Sequence, residues 1–220
     1  MNSSRTTRGF GLNDVAIDDR VLLHDGFLKI ERLTLSCRLF QGGWSAPFTR
    51  EVLRRERGVG VLLYDPHLDK VLMVEQFRVG CLDDEGNGPW ALELVAGLID
   101  KPGENPADVA RREAVEEAGV TVGNLLRICE YYNSPGGSNE RLTVFCAAFD
   151  ARDPRLAGGI FGVDSEAENI RAVVLDRHDA LEAVAAGTIN NAMSIIALQW
   201  LQLNLATVQA SLAKDSGTRS

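Results

Sequence analysis

Four glutamates, Glu104, Glu113, Glu116 and Glu117, fall within fourteen residues of this 220-residue chain. On a helix, Glu113, Glu116 and Glu117 share one arc of roughly 100°. Each i,i+3 or i,i+4 pair among them is a like-charge contact that costs about a few tenths of a kcal/mol. A charge run is ordinarily a solvated helix face, but here only Arg112 stands beside the three acids as relief. The cluster makes physical sense once a divalent cation neutralises it. Carboxylate oxygens suit a hard ion, Mg2+ or Mn2+, and not zinc.

The flanking residues supply the helix. Asn105 can cap it, Pro106 fits its first turn, and Asp108 sits near the positive end of the dipole. Gly119 is placed to end it. Ala107, Ala110, Ala114 and Ala118 form a second face, small enough to lie close against a sheet.

Glu104, followed after seven residues by Arg112-Glu113-Ala114-Val115-Glu116-Glu117-Ala118-Gly119-Val120, resembles the signature box of the Nudix hydrolases. The resemblance implies an enzyme that cleaves diphosphates linked to a nucleoside, with Mg2+ held by the box glutamates. It also implies the fold, a Nudix-type α/β/α sandwich with a mixed sheet. One feature departs from the pattern. Six residues, not five, separate Gly97 from Glu104, so Pro102-Gly103 looks like a one-residue insertion ahead of the helix.

The box does not choose a substrate. Pro135, in Ser134-Pro135-Gly136-Gly137, lies fifteen residues past Val120, a distance that resembles the ADP-ribose pyrophosphatase subgroup. Similarity to bacterial members continues through Val74-Glu75-Gln76-Phe77-Arg78, Pro89-Trp90, Leu92 to Gly97, Ser134 to Arg141 and Asn191 to Leu201, spanning about residues 15–205. The resemblance implies ADP-ribose as substrate, AMP and ribose 5-phosphate as products, and a homodimer with swapped N-terminal strands and shared active sites.

The same resemblance distributes roles. Glu113, Glu117 and the Ala96 carbonyl would hold the metal, with Glu168 or Glu116 assisting, and Arg112 would orient the glutamates. In the loop from Gly162 to Ile170, Glu166 would be the base that activates water and Glu168 the extra ligand; the reverse order is also open. Arg78 is expected on the diphosphate or terminal ribose, and Glu140 on a ribose hydroxyl, with Ser134 and Pro135 in the substrate loop. Arg50 and Phe27 are expected near the adenine; Phe27 would come from the partner subunit, unless it is ordinary core packing.

Composition is that of an ordinary globular chain, 45% hydrophobic and 25% charged. A net charge of −8 argues against nucleic acid and anionic membranes as partners. No segment reaches the roughly 18 to 20 apolar residues of a membrane span. The four cysteines, Cys37, Cys81, Cys129 and Cys146, lack metal-ligand spacing and read as reduced core residues of a cytoplasmic protein. His24, His67 and His178 read as surface or loop residues.

Along the chain, residues 1–14 and 214–220 read as flexible tails, 15–56 as an N-terminal β region too flat to bury itself, and 57–213 as the hydrolase domain. Strands are expected at Val21 to Leu23, Leu28 to Phe40, Gly58 to Leu63, Lys70 to Phe77, Trp90 to Val95, Leu125 to Tyr132, Arg141 to Phe149 and Ile170 to Leu175. A loop is expected from Asp150 to Asn169, and helices at Asp179 to Ala186 and Ala192 to Leu212. Two other functions compete: hydrolysis of another nucleoside diphosphate sugar such as GDP-mannose, and a catalytically silent nucleotide-sugar-binding module. The intact set of box glutamates disfavours the second.

Overall fold

The computed structural model describes residues 9–213, with the side chain of Glu166 outside the described set. Two compact units result: Met1–Arg55 together with Tyr132–Glu140, and Glu56–Tyr131 together with Arg141–Ser220. Of the expected tails, residues 1–8 and 214–220 lie outside the described residues, while Leu12–Asp14 forms a short 3-10 turn.

The smaller unit is an antiparallel meander of β1 (Val15–Asp25), β2 (Lys29–Cys37) and β3 (Phe48–Arg54). Glu31 on β2 accepts from Arg20 on β1 at 2.6 Å and from Arg54 on β3 at 2.7 Å, so one carboxylate ties all three strands. Every β1 residue except the half-buried Val21 is exposed. The segment Tyr132–Glu140 joins this unit through the Leu53 N–H, which donates to the Gly137 carbonyl at 2.8 Å, and the Arg55 N–H, which donates to Asn139 Oδ1 at 2.7 Å.

The larger unit contains β4 (Arg57–Asp65), β5 (Lys70–Phe77), β6 (Trp90–Glu93), β7 (Val95–Ile99), α1 (Pro106–Ala118), β8 (Leu125–Tyr132), β9 (Arg141–Ala148), β10 (Ile160–Phe161), β11 (Ile170–Asp176), α2 (Arg177–Ala185) and α3 (Ala192–Leu212). Its sheet runs β10-β11-β5-β4-β9-β8. The β4–β9 pair is parallel and the β4–β5 and β5–β11 pairs are antiparallel, so the sheet is mixed. Leu72, Val74, Val59, Val61 and Val95 meet Val109, Ala110, Ala114 and Ala118 of α1 on one face. Val71, Met73, Leu62 and Tyr64 meet Ala180, Leu198 and Leu201 of α2 and α3 on the other. Strand alternation sorts the side chains between these two layers, which gives the expected α/β/α sandwich.

Three expectations change. The strand expected at Val21 to Leu23 runs on in both directions as β1, Val15–Asp25. Trp90 to Val95 is not one strand: the chain breaks at Leu94, β6 pairing with β5 and β7 with β4. β4 and β5 pair directly only from Leu63–Leu72 to Asp65–Lys70. Beyond that the sheet forks, and β6 and β7 line the two arms. The Asp150 to Asn169 loop likewise contains 3-10 turns at Pro154–Leu156 and Asp164–Glu166 and the short β10, which pairs with β11. Among the described residues no helix is long and apolar enough to cross a membrane.

Candidate active site

The helix α1 begins and ends where local chemistry dictates. The Asn105 side chain accepts from the Ala107 N–H at 2.9 Å, Pro106 follows it, and Gly119 closes the helix with φ 64°, donating to the Ala114 and Val115 carbonyls. Gly119 is needed twice over. Its φ disfavours any side chain, and a Cβ there would come within 2.5 Å of the Phe161 ring.

This frame turns Glu113 and Glu117 inward. They are 8% and 2% exposed, so the solvated-face reading fails for both. Glu117 Oε2 accepts from the Ala96 N–H at 2.8 Å. Glu113 packs over Gly97, where a Cβ would overlap its carboxylate. The glycine that opens the box is therefore a spatial requirement of the glutamate sixteen residues later. Glu116 is half-buried and shares Arg112 Nη1 with Glu113, at 3.0 Å and 2.9 Å. Burial works against the Arg112 charge, but Glu113, Glu116 and Glu104 outweigh it and hold its pKa above the ordinary value.

A second segment arrives through β10. The Gly162 N–H donates to the Glu116 carbonyl at 3.0 Å, tying the loop to the last turn of α1. Glu168 then folds back to accept from the Val163 N–H at 3.1 Å. Burial pushes the Glu117 carboxyl up to about 8; the Ala96 N–H opposes this, Glu113 and Glu168 add to it, and Arg78 opposes it. Arg78 itself donates to Glu93 at 2.7 Å. Glu113, Glu117, Glu168, the Ala96 backbone and Arg78 are thus gathered in one place, with Arg112 and Glu116 beside them. Glu166 lies in the Asp164–Glu166 turn, its side chain outside the described residues.

A buried carboxylate that holds its proton to about pH 8 beside two more carboxylates is a site short of positive charge. All of its donors are oxygens, which fits a hard divalent cation. The inserted residue before the helix is absorbed harmlessly. The Glu104 N–H donates to the Lys101 carbonyl at 3.2 Å across a turn in which Gly103 takes φ 80°.

The remaining expected contacts belong to the smaller unit. Phe27 is 86% exposed, which overturns core packing; its ring lies 5.5 Å from the Arg55 guanidinium. Glu140 pairs with Arg55 at 3.5 Å and accepts from Asn133 at 2.8 Å. Ser134 and Pro135 form the turn that the Gly137 N–H closes onto the Ser134 carbonyl at 3.1 Å. Arg50 stacks on Phe48 at 4.7 Å and donates to the Thr49 carbonyl. Sequence reasoning passed over Arg55, which links Phe27 and Glu140, and Glu93, a lone acid between Leu92 and Leu94 whose placement in an apolar strand was the available signal. Only Cys146 of the four cysteines is fully buried; the others are half-buried, and none is paired.

The NUDIX domain family model matches residues 54–193. The chain belongs to this family. A relative from Haemophilus influenzae, "ADP-ribose pyrophosphatase", is 40% identical over 204 residues, covering 92% of each chain. The "ADP-ribose pyrophosphatase" of Escherichia coli is 42% identical over 195 residues, 89% of this chain and 91% of the relative. A Klebsiella pneumoniae "GDP-mannose pyrophosphatase" is 35% identical over 191 residues, 87% and 92% of the two chains. A solved structure, "Crystal structure of ADP compounds hydrolase", superposes with a TM-score of 0.66 at 17% identity, covering 90% of this chain and 97% of its own, and speaks to the fold.

Proposed function

We propose that this Nudix hydrolase cleaves the diphosphate of ADP-ribose to AMP and ribose 5-phosphate. The observation that carries the chemistry is the buried Glu117, bonded to the Ala96 N–H and crowded by Glu113 and Glu168. The identities of 40% and 42% to relatives named for ADP-ribose support the substrate over the more distant GDP-mannose reading.

Glu113, Glu117, Glu168 and the Ala96 carbonyl would hold Mg2+, with Mn2+ as a substitute of the same donor preference. When bound, the ion neutralises the diphosphate and makes a water more acidic. Arg112 fixes the carboxylates of Glu113 and Glu116. Arg78, braced by Glu93, offers its guanidinium to the phosphates. Glu168 is already committed to the Val163 N–H, which favours it as ligand and leaves Glu166 as the base that accepts the water proton. In the smaller unit, Phe27 and Glu140, linked by Arg55, would receive the adenosine, with Ser134 and Pro135 shaping the loop. The bare surface of β1 supports a homodimer in which residues 15–56 are swapped between subunits. Unpaired cysteines support a cytoplasmic setting.

A panel of ADP-ribose, GDP-mannose, NADH and diadenosine polyphosphates with Mg2+, read by product analysis, tests the assignment. ADP-ribose should rank first and yield AMP; a higher kcat/KM for another member overturns it.

A further inference from the structure

Gln76 on β5 is 5% exposed, and its side-chain Nε2 is out of solvent with no hydrogen-bond partner among the described residues. Buried polar atoms are paired in the great majority of cases, so an orphaned donor requires a reason. Strand alternation places Gln76 on the face of Leu72 and Val74, both packed beneath α1. Arg78, two residues on, continues that row, and its charge reaches Glu117. The β5–β6 register sets Ala91 opposite Gln76 and Glu93 opposite Val74. Gln76 therefore sits on the α1 face of the sheet, between Val74 of the apolar floor and Arg78, in the row beside Glu93.

The acids of the site are already engaged. Glu93 holds Arg78, Glu117 holds the Ala96 N–H, and Glu168 holds the Val163 N–H. We infer that Gln76 is a substrate-binding residue whose Nε2 donates to an oxygen of the bound diphosphate. This rests on the diphosphate hydrolysis argued above. A neutral donor suits the position: it adds a hydrogen bond to an anion without neutralising the carboxylates that the cation needs.

The test pairs kinetics with thermal unfolding of the full chain. Gln76→Met keeps the volume and removes the donor, so the free protein should unfold at the same or a higher temperature than wild type. Its kcat/KM for ADP-ribose should fall by about ten-fold or more, the worth of a hydrogen bond to a charged group. Gln76→Glu, which keeps the shape and presents an anion, should fall further. The rise in unfolding temperature that ADP gives wild type should shrink in both. An active wild type with Gln76→Met kinetics within about two-fold of it overturns the role of Gln76 alone. A wild type inactive on every diphosphate in the panel overturns the proposed function, and this inference with it.

Discussion

At Glu117 the folded chain holds a proton that the unfolded chain gives up. Burial raises its pKa from 4.5 to about 8. Between those values the folded state binds more protons, so stability present below about pH 4.5 must decline as pH rises and level off above about 8. In chelator, thermal unfolding across that range should show a fall worth a few kcal/mol, and Glu117→Gln should flatten it. A flat wild-type profile would contradict the burial argument. The other carboxylates separate by kinetics. Glu166→Gln should lower kcat by roughly 10²–10⁴-fold with KM little changed, as expected for a lost base. Glu168→Gln should behave as a weakened ligand, its loss partly restored by raised Mg2+. If excess metal rescues Glu166→Gln and not Glu168→Gln, the two roles are reversed.

At the scale of the element, α1 stands on its caps. Asn105→Ala removes the bond to the Ala107 N–H and should cost about 1 kcal/mol, or roughly 2–4 °C in Tm. Gly119→Ala should cost more, about 1–3 kcal/mol for the left-handed residue alone, with the Phe161 contact in addition. Equal Tm values for the two variants would mean that β10 moves aside. This helix was legible in the sequence because its signals are local: cap, proline, glycine and periodicity all lie within fifteen residues. So were β5, β8 and α3, whose bounds match their apolar runs. The break at Leu94 was not, because Leu92 to Val95 holds no glycine, proline or other turn residue and the break arises from a change of partner strand. The pairing of Phe27, Arg55 and Glu140 was hidden for the same reason: it joins residues far apart in sequence, and neighbouring arginines offered no way to choose among them.

For the whole molecule, the exposed β1 surface is a surface without an owner in one chain. Light scattering should give a dimer, and a monomeric mass would remove the swapped-strand reading. The turn from Lys101 to Glu104 joins two parts that are each held separately. Because β4 holds β7 and the cap holds α1, the chain between them can lengthen without moving Glu113, Glu116 or Glu117. Spacing is therefore free ahead of Asn105 and rigid from Arg112 to Glu117. A motif that demands a fixed interval from the box glycine to its first glutamate would pass over this chain, although Arg112, Glu113, Glu116 and Glu117 keep their spacing. A motif drawn on the helix alone, from Arg112 to Glu117, would recover it, and an insertion just before the cap is one this fold absorbs at little cost.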